Sequence, residues 1–322
     1  MKRFISIAVS VTILSIIYSK IDFPKLVQVF QNCNGWWMVI SLGMVVPLTM
    51  LTAWRLQQLM PPIKTTGALA LGFGEANRLI LVASVLNMVL PSKMGDIAKA
   101  YFMKERGHLS GSLSLSLVVF EKACDMLSLL LWCVFGLMLY PNKDWLFWLM
   151  TASVAFGLVT GLLLLSSRQF AQLFFGIGNA IAPKKLRSKL KKLRVSWDEM
   201  HDYFWRNKSQ LIKITGTSVF IWFLHLLQIW FFILSLKAWT PMLVNLALAP
   251  LAILAGLLPL TFAGVGTRDA ALLVFYQPYF NTSTAAALGL LCTSRYLLPA
   301  IGGLPFLGQY LSTIRMQKLP SR

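Results

Sequence analysis

The chain has 322 residues, of which 57% are hydrophobic and only 13% are charged. Soluble domains carry about 25% charged residues, so this composition excludes a globule that is coated by water on all sides. The net charge is +19. Because the basic residues are not interleaved with exposed aromatic residues, we expect an anionic membrane surface, and no nucleic acid, as the partner of this charge.

Six apolar runs approach the length of about 20 residues that a helix needs to cross a bilayer. The first follows Met1-Lys2-Arg3 and has no small-residue cleavage site after it, so we expect an uncleaved span with a cytoplasmic N-terminus. The pattern predicts an all-α integral membrane protein of about six spans. The runs lie at 4–18, 36–53, 112–140, 145–165, 211–236 and 285–312.

Positive charge in short loops predicts the orientation, because such loops remain on the cytoplasmic side. Arg55 and Lys64 place the loop after the second run inside. The segment 184–194 has seven basic residues and no acid, and it belongs to a basic loop at 166–210 that we expect to be cytoplasmic and to contain an amphipathic helix. Basic residues also place the C-terminus inside, namely Arg315, Lys318 and Arg322.

Two segments between the spans are predicted to enter and leave the membrane on the same side. The first, 77–106, is an apolar stretch followed by a break at 91–95 and a polar helix. The second, 243–276, has a break at 259–267, and its last nine residues reach only about 14 Å as a helix. Half a bilayer is too little for a span, so we predict two re-entrant helical hairpins.

The order of spans and hairpins repeats with opposite orientation. The predicted halves are about 1–140 and 145–314, within a single transmembrane domain of residues 1–322. Broken helices at matching positions of inverted halves are typical of transporters that hold their substrate near the midplane of the membrane.

Eight charged residues lie at membrane depth in this arrangement. An unpaired charge there costs about 2.5–3.5 kcal/mol, so we expect these residues to form ion pairs or face water. Each predicted half has an acid at the hairpin tip and a cation 26 residues later. The pattern favours a substrate site, with a purely structural salt-bridge network as the alternative. The eight residues are Lys93, Asp96, Glu121, Lys122, Asp125, Arg268, Asp269 and Arg295.

The hairpin tips combine glycines with the beginnings of short helices. Gly95, Gly264 and Gly266 allow a ligand to approach the backbone closely. Helix N-termini present free N–H groups that bind anions such as phosphate. Asp96 and Asp269 are equally candidates for N-caps of these helices.

Other polar residues in the spans carry weaker signals. His225 and Gln228 lie three residues apart, and either a polar path or a helix-packing hydrogen bond explains them. Neither the histidines nor the four cysteines have metal-ligand spacing, and no nucleotide-binding motif occurs. We therefore expect no metal, no cofactor and no catalytic residue of a soluble enzyme.

Three motifs resemble those of the flippase-like family named after the membrane region of lysylphosphatidylglycerol synthases. The family pattern L-P-x-R-x-G-[DE]-x-x-R is similar to LPSKMGDIAK at 90–99, with Lys93 and Lys99 in place of arginines. The pattern E-R-x-x-D is similar to EKACD at 121–125, and G-G-x-G-x-R-E to AGVGTRD at 263–269. Lysine keeps the charge of arginine but lacks the fork that suits phosphate. Through the first motif Lys99 joins the expected site.

The resemblance implies translocation of a lipid or a lipid-linked head group between the leaflets of the cell inner (plasma) membrane. The implied ligand is an anionic phospholipid or a polyprenyl-linked lipid. The soluble aminoacyl-transferase domain of the full synthases is missing from these 322 residues, so we expect no lysyl transfer. Two alternatives remain open: a membrane transferase with Asp96, Glu121 or Asp125 as its base, and an accessory subunit of an envelope-synthesis enzyme.

Overall fold

The computed structural model describes residues 22–60, 70–89, 94–140, 143–181, 184–257 and 266–316. Within these ranges all regular structure is α-helical, as the composition predicts. The helices of the first part are α1 (Phe23–Gln31), α2 (Gly35–Gly43), α3 (Val45–Leu59), α4 (Phe73–Val89), α5 (Gly95–Glu105) and α6 (Gly111–Leu139). Those of the second part are α7 (Trp145–Ser166), α8 (Arg168–Ile181), α9 (Lys184–Arg206), α10 (Lys208–Ser235), α11 (Met242–Gly256), α12 (Thr267–Tyr276) and α13 (Thr282–Met316).

Five helical segments of the described residues are long and apolar enough to cross a membrane. They confirm that five of the six apolar runs are helices; the run at 4–18 lies outside the described residues. The first of the five contains both α2 and α3, which meet at Met44. The candidate spans are Gly35–Leu59, Leu113–Leu139, Trp145–Ser166, Lys208–Ser235 and Thr282–Ser312.

Each predicted hairpin has two helical limbs. In the first hairpin α4 packs against α5, and in the second α11 packs against α12. The limbs are confirmed, although α4 begins at Phe73, four residues before the predicted start at 77. The connections at 90–93 and 258–265 lie outside the described residues, so the re-entrant path and the orientation of the ends stay predictions.

The basic loop at 166–210 contains two helices, one more than the sequence predicts. Helix α8 buries Ala171 and leaves Leu173, Phe174 and Ile177 exposed, so it has an apolar outer surface. Helix α9 carries the basic run and packs against α8 and α6. Its Trp197 is buried, with the ring 6.2 Å from that of Phe120.

The hairpins are held by the last helix of the opposite half. Helix α13 packs along α4, and α6 packs along α11. A Cβ on Gly303 of α13 would lie 2.6 Å from the carbonyl carbon of Leu81, and one on Gly136 of α6 would lie 3.1 Å from that of Ala247. Small residues of this kind let membrane helices approach backbone to backbone. Each contact therefore depends on a glycine, and the two contacts are reciprocal.

Candidate functional site

A cavity of about 230 Å³ lies between helices of both halves. Its walls come from α3, α4, α5 and α6 on one side and from α10 and α13 on the other. Glu121 lies 8 residues, about 12 Å, from the start of its candidate span at Leu113. His225 lies 17 residues, about 26 Å, from the start of its own at Lys208. The cavity is therefore lined by candidate spans and by the limbs of the first hairpin, and not by the loops that join them.

Glu121 is the centre of a buried ion-pair network in this wall. Its carboxylate accepts a hydrogen bond from Arg55 Nη2 at 3.1 Å and another from Lys99 Nζ. Arg55 also donates to Asp125 and to Ser218 Oγ, the latter at 3.0 Å. Arg55, Lys99 and Glu121 are each no more than 2% exposed. Their mutual pairing is what makes such deep burial of charge tolerable.

A second, more open pair extends the network to the start of α5. Lys122 Nζ lies 3.1 Å from Asp96 Oδ2 and 3.9 Å from Asp125 Oδ2, and the Lys122 side chain is 48% exposed. With the three cations Arg55, Lys99 and Lys122, the three acids of the network are balanced in charge. Helices α3, α5 and α6 are thereby joined through their charged groups.

Arg295 adds a positive charge that the network does not neutralise. Its Nη1 donates to the carbonyl oxygen of His225 at 3.3 Å, and its side chain is only 8% exposed. Among the described residues no acid forms an ion pair with Arg295, and its buried Nε has no hydrogen-bond partner. Among the described residues, the charged groups of the cavity wall therefore sum to one positive charge in excess.

His225 and Gln228 both line the cavity. Gln228 Nε2 donates to the carbonyl oxygen of Ser41 at 2.8 Å, which confirms the helix-packing interpretation for this residue. Gln228 Oε1 and His225 Nδ1 are buried and have no partner in the described part of the chain. Gln228 therefore forms a hydrogen bond between two helices and also contributes a polar group to the cavity wall.

Arg268 and Asp269 lie outside the cavity wall. Arg268 donates to Asp269 Oδ1 at 2.6 Å, to the Gly289 carbonyl oxygen at 2.9 Å and to Thr293 Oγ1 at 2.8 Å. Asp269 Oδ2 accepts from the backbone N–H of Gly266 at 3.1 Å. Gly266, and not Asp269, is therefore the N-cap of α12, and Asp269 caps this N-terminus from the third helical position. The pair connects α12 to α13, and whether it also contacts a substrate stays a prediction.

The hairpin glycines have different surroundings. Gly266 has a φ of 105°, which a residue with a side chain rarely adopts. A Cβ on Gly95 would lie 2.7 Å from the backbone nitrogen of Asn87, so the close approach at this position is to α4. Met94, and not Asp96, is the N-cap of α5. Lys93 and Gly264 lie outside the described residues.

The sequence interpretation of Arg55 as a loop residue is wrong. Helix α3 continues through it to Leu59, and both Leu56 and Leu59 are fully buried. The available signal was the spacing of apolar residues, which continues past Arg55 with helical period. Lys122 follows Glu121 directly on α6, and its long side chain comes within 3.9 Å of the Asp125 carboxylate.

Comparison with known proteins agrees with the motifs. Residues 3–303 match the family model described as lysylphosphatidylglycerol synthase TM region. A UPF0104 membrane protein of Methanocaldococcus jannaschii is 23% identical over 324 residues, which cover 94% of this chain and 93% of the relative. A UPF0104 membrane protein of Methanothermobacter thermautotrophicus is 22% identical over 279 residues, or 79% and 82% of the two chains. No solved structure matches the chain.

Proposed function

Since the chain belongs to the lysylphosphatidylglycerol synthase TM region family, we propose that it moves a lipid or lipid-linked head group across the cell inner (plasma) membrane. The observation that supports this proposal best is the charged cavity among the candidate spans, with Arg295 as its unneutralised cation. An intramembrane cation without an acid is costly unless an anion or water accompanies it. A phosphate of the head group is the anion that a lipid would bring.

The balanced network gives the cavity a polar wall without attracting counter-ions of its own. Glu121, Asp125 and Asp96 are each paired with lysine or arginine. A head group that enters meets fixed charges that are already compensated, and its phosphate pairs with Arg295. In this proposal the two hairpins are re-entrant and the two halves inverted, so that the cavity opens to each leaflet in turn.

The proposed cargo is an anionic phospholipid or a polyprenyl-linked lipid, and an envelope-synthesis enzyme is a proposed source or acceptor of it. The transferase alternative is weaker, because a carboxylate whose oxygens already bind a cation has fewer lone pairs free to take a proton from a substrate. Each of the three acids that the sequence offered for that role has such a partner.

Translocation in proteoliposomes tests the proposal. The purified chain is reconstituted with lipids whose labelled head groups are quenched or modified from one side only, over a panel of phospholipids and polyprenyl-linked lipids. We expect faster exchange of at least one anionic lipid than in protein-free vesicles, and a loss of at least tenfold in Arg295→Gln.

The matched control is Lys213→Gln, which removes one positive charge from an exposed position of α10 outside the cavity. Its exchange rate should equal that of the wild type. If every lipid of the panel exchanges no faster than in empty vesicles, the proposal is contradicted. Equal rates for Arg295→Gln and the wild type would remove Arg295 from the mechanism.

A further inference from the structure

Helix α8 carries an apolar stripe on its outer surface, formed by Leu173, Phe174, Ile177 and Ile181. The first three side chains are between 49% and 60% exposed, and Ile181 is 81% exposed. Steps of one, three and four residues place all four on one side of the helix. A stripe of this kind is typical of a helix that lies in contact with an apolar phase or a partner.

The two helices of the basic loop are held at the ends of two candidate spans. Ser167 alone separates α8 from the candidate span α7, and Asn207 alone separates α9 from the candidate span α10. Trp205 Nε1 of α9 donates to the carbonyl oxygen of Leu165 in α7 at 2.8 Å. Helices α8 and α9 therefore lie where the hydrocarbon of a bilayer gives way to the head groups.

Helix α9 covers the side of α8 that is opposite to the stripe. Phe175 is two residues from Ile177, which is more than half a turn, and its ring lies 6.2 Å from that of Trp197 in α9. Arg168, at the start of α8, forms an ion pair with Asp202 of α9 at 3.0 Å. A helix in the membrane interface has this arrangement, with its apolar side toward the acyl chains and basic groups on the side toward water.

A pocket of about 70 Å³ lies between α8 and α9. Space of about 10–15 Å³ is enough for one water, so the pocket has room for a larger polar group. Its lining includes two basic residues, one amide and no acid. The lining residues are Phe175, Gly176, Asn179, Leu190, Lys191 and Arg194.

The two cations of this pocket are not neutralised by the protein. Among the described residues, no carboxylate forms an ion pair with Lys191 or Arg194, and both side chains are exposed. Asp198 lies one turn after Arg194 but contacts Arg168 instead, at 3.5 Å. Asn179 Oδ1 is buried and has no hydrogen-bond partner in the described part of the chain. The pocket therefore offers two positive charges and one acceptor to a ligand.

We propose that α8 and α9 form a binding site for one anionic phospholipid of the leaflet that they contact. Lys191 and Arg194 bind its phosphate, and Asn179 accepts a hydrogen bond from a head-group hydroxyl or from water. A free phosphate ion would satisfy the cations but leave the apolar stripe in water, whereas a lipid accounts for both. Neither helix lines the cavity between the spans, so this site is separate from that of the proposed function.

Native mass spectrometry of the full chain in detergent measures head-group binding. The probes are phosphatidylglycerol and phosphatidylcholine with identical acyl chains. Because Arg295 offers a second anion site, binding is measured in Arg295→Gln and also in the wild type, in case that variant fails to fold. We expect tighter binding of phosphatidylglycerol in both proteins. The double variant Lys191→Gln, Arg194→Gln should weaken it about thirtyfold, the effect of two cations beside an anionic head group.

Two further variants are the controls. The exchange Lys191→Arg, Arg194→Lys keeps both charges and should bind phosphatidylglycerol as before. The double variant Lys208→Gln, Lys213→Gln removes two exposed positive charges of α10 outside the pocket and should also retain binding. An equal loss in this second control would show a general attraction to the net charge of +19 and overturn the inference. Equal binding of the two lipids to the wild type would overturn it as well.

The depth of the stripe distinguishes a lipid from the other occupants. After replacement of Cys33, a dye is attached to Ile177→Cys or to Ser188→Cys, the latter at an exposed position of α9. The protein is placed in vesicles of phosphatidylglycerol and phosphatidylcholine with brominated acyl chains. We expect bromine to quench the dye at position 177 several times more strongly than the dye at 188.

Two results of this measurement would contradict the lipid. Weak quenching at both positions would place the stripe in water, and the pocket would then bind only a free anion. Energy transfer between differently labelled copies at position 177, together with weak quenching, would show that a second copy of the chain covers the stripe. Translocation by a protein without this selective binding would leave the proposed function intact and overturn only the present inference.

Discussion

Glu121 is bonded to Arg55 and Lys99 at once, and all three side chains are almost completely buried. The cost of removing three charges from water is offset here only because every member has an oppositely charged partner. Removal of the shared acid leaves two cations competing for the remaining carboxylates. The pair between Asp96 and Lys122 is different, because Lys122 is half exposed and screened by solvent.

Two conservative amide substitutions test this difference. We expect Glu121→Gln to lower the free energy of unfolding by about 3–5 kcal/mol, the usual effect of breaking a buried pair. Asp96→Asn, the matched change at the open pair, should cost less than about 1 kcal/mol. Denaturant unfolding in mixed micelles, followed by circular dichroism, measures both values. Losses of equal size would contradict the burial of Glu121.

The second residue-scale prediction concerns Arg268, whose guanidinium is bonded to Asp269 and to α13. We expect Arg268→Met to lower thermal stability because it strands the Asp269 carboxylate. The double variant Arg268→Met, Asp269→Asn should recover much of that loss. Thermal unfolding and lipid translocation are measured for both. A double variant that regains stability but not translocation would give Arg268 a direct contact with the substrate.

The sequence identified some residues of the charged network and missed others. Asp96, Glu121, Lys122 and Asp125 were found because a charge inside an apolar run stands out. Arg55 was missed because it stands near the end of its run, where an arginine usually marks a loop. Nothing in its local sequence shows that its partners lie 66 and 70 residues away.

At the scale of elements, the contact of α13 with α4 depends on the absence of a side chain at Gly303. We expect Gly303→Ala to destabilise the protein by about 1–3 kcal/mol, because the methyl group meets the backbone of Leu81. Gly308→Ala lies on the same helix, where nothing is within 4 Å, and should be neutral or stabilising by up to about 1 kcal/mol. Unfolding in mixed micelles measures both, and effects of the same sign would contradict the close contact.

The hairpin limbs were predictable because apolar helix, break and short helix follow one another in the sequence. Their boundaries were less so: α4 begins at Phe73, before the predicted start at 77, and therefore includes Glu75. In the structure Glu75 lies 2.8 Å from Arg106, whose guanidinium stands 4.0 Å from the ring of Tyr310. The three residues connect both limbs of the first hairpin to α13. The hydrophobic periodicity of the sequence does not predict such a contact, because the residues lie in distant segments of the chain.

At the scale of the molecule, each part of the described chain ends with the same order of elements: a candidate span, two packed limbs of a predicted hairpin and a final span. The final spans pack on each other's hairpins, α6 on α11 and α13 on α4. A two-fold relation between inverted halves predicts such reciprocal contacts. The two-fold operation exchanges the halves, so a contact of the first half with the second implies an equivalent contact of the second half with the first. The inverted relation of the halves, the re-entrant path of the hairpins and the orientation in the membrane remain predictions.

Cysteine labelling in cells tests that orientation. After the native Cys33 is replaced, single cysteines are placed at positions 92, 142 and 191 and treated with membrane-impermeant and permeant maleimides. If the first hairpin is re-entrant, position 92 lies at membrane depth and should label poorly with both reagents. Position 142, between the two candidate spans α6 and α7, should label from outside. Position 191, in the basic run of α9, should label only with the permeant reagent, because such a run stays in the cytoplasm. Strong labelling of position 92 by the impermeant reagent would make the segment a true crossing, and the two halves would then lose their inverted relation.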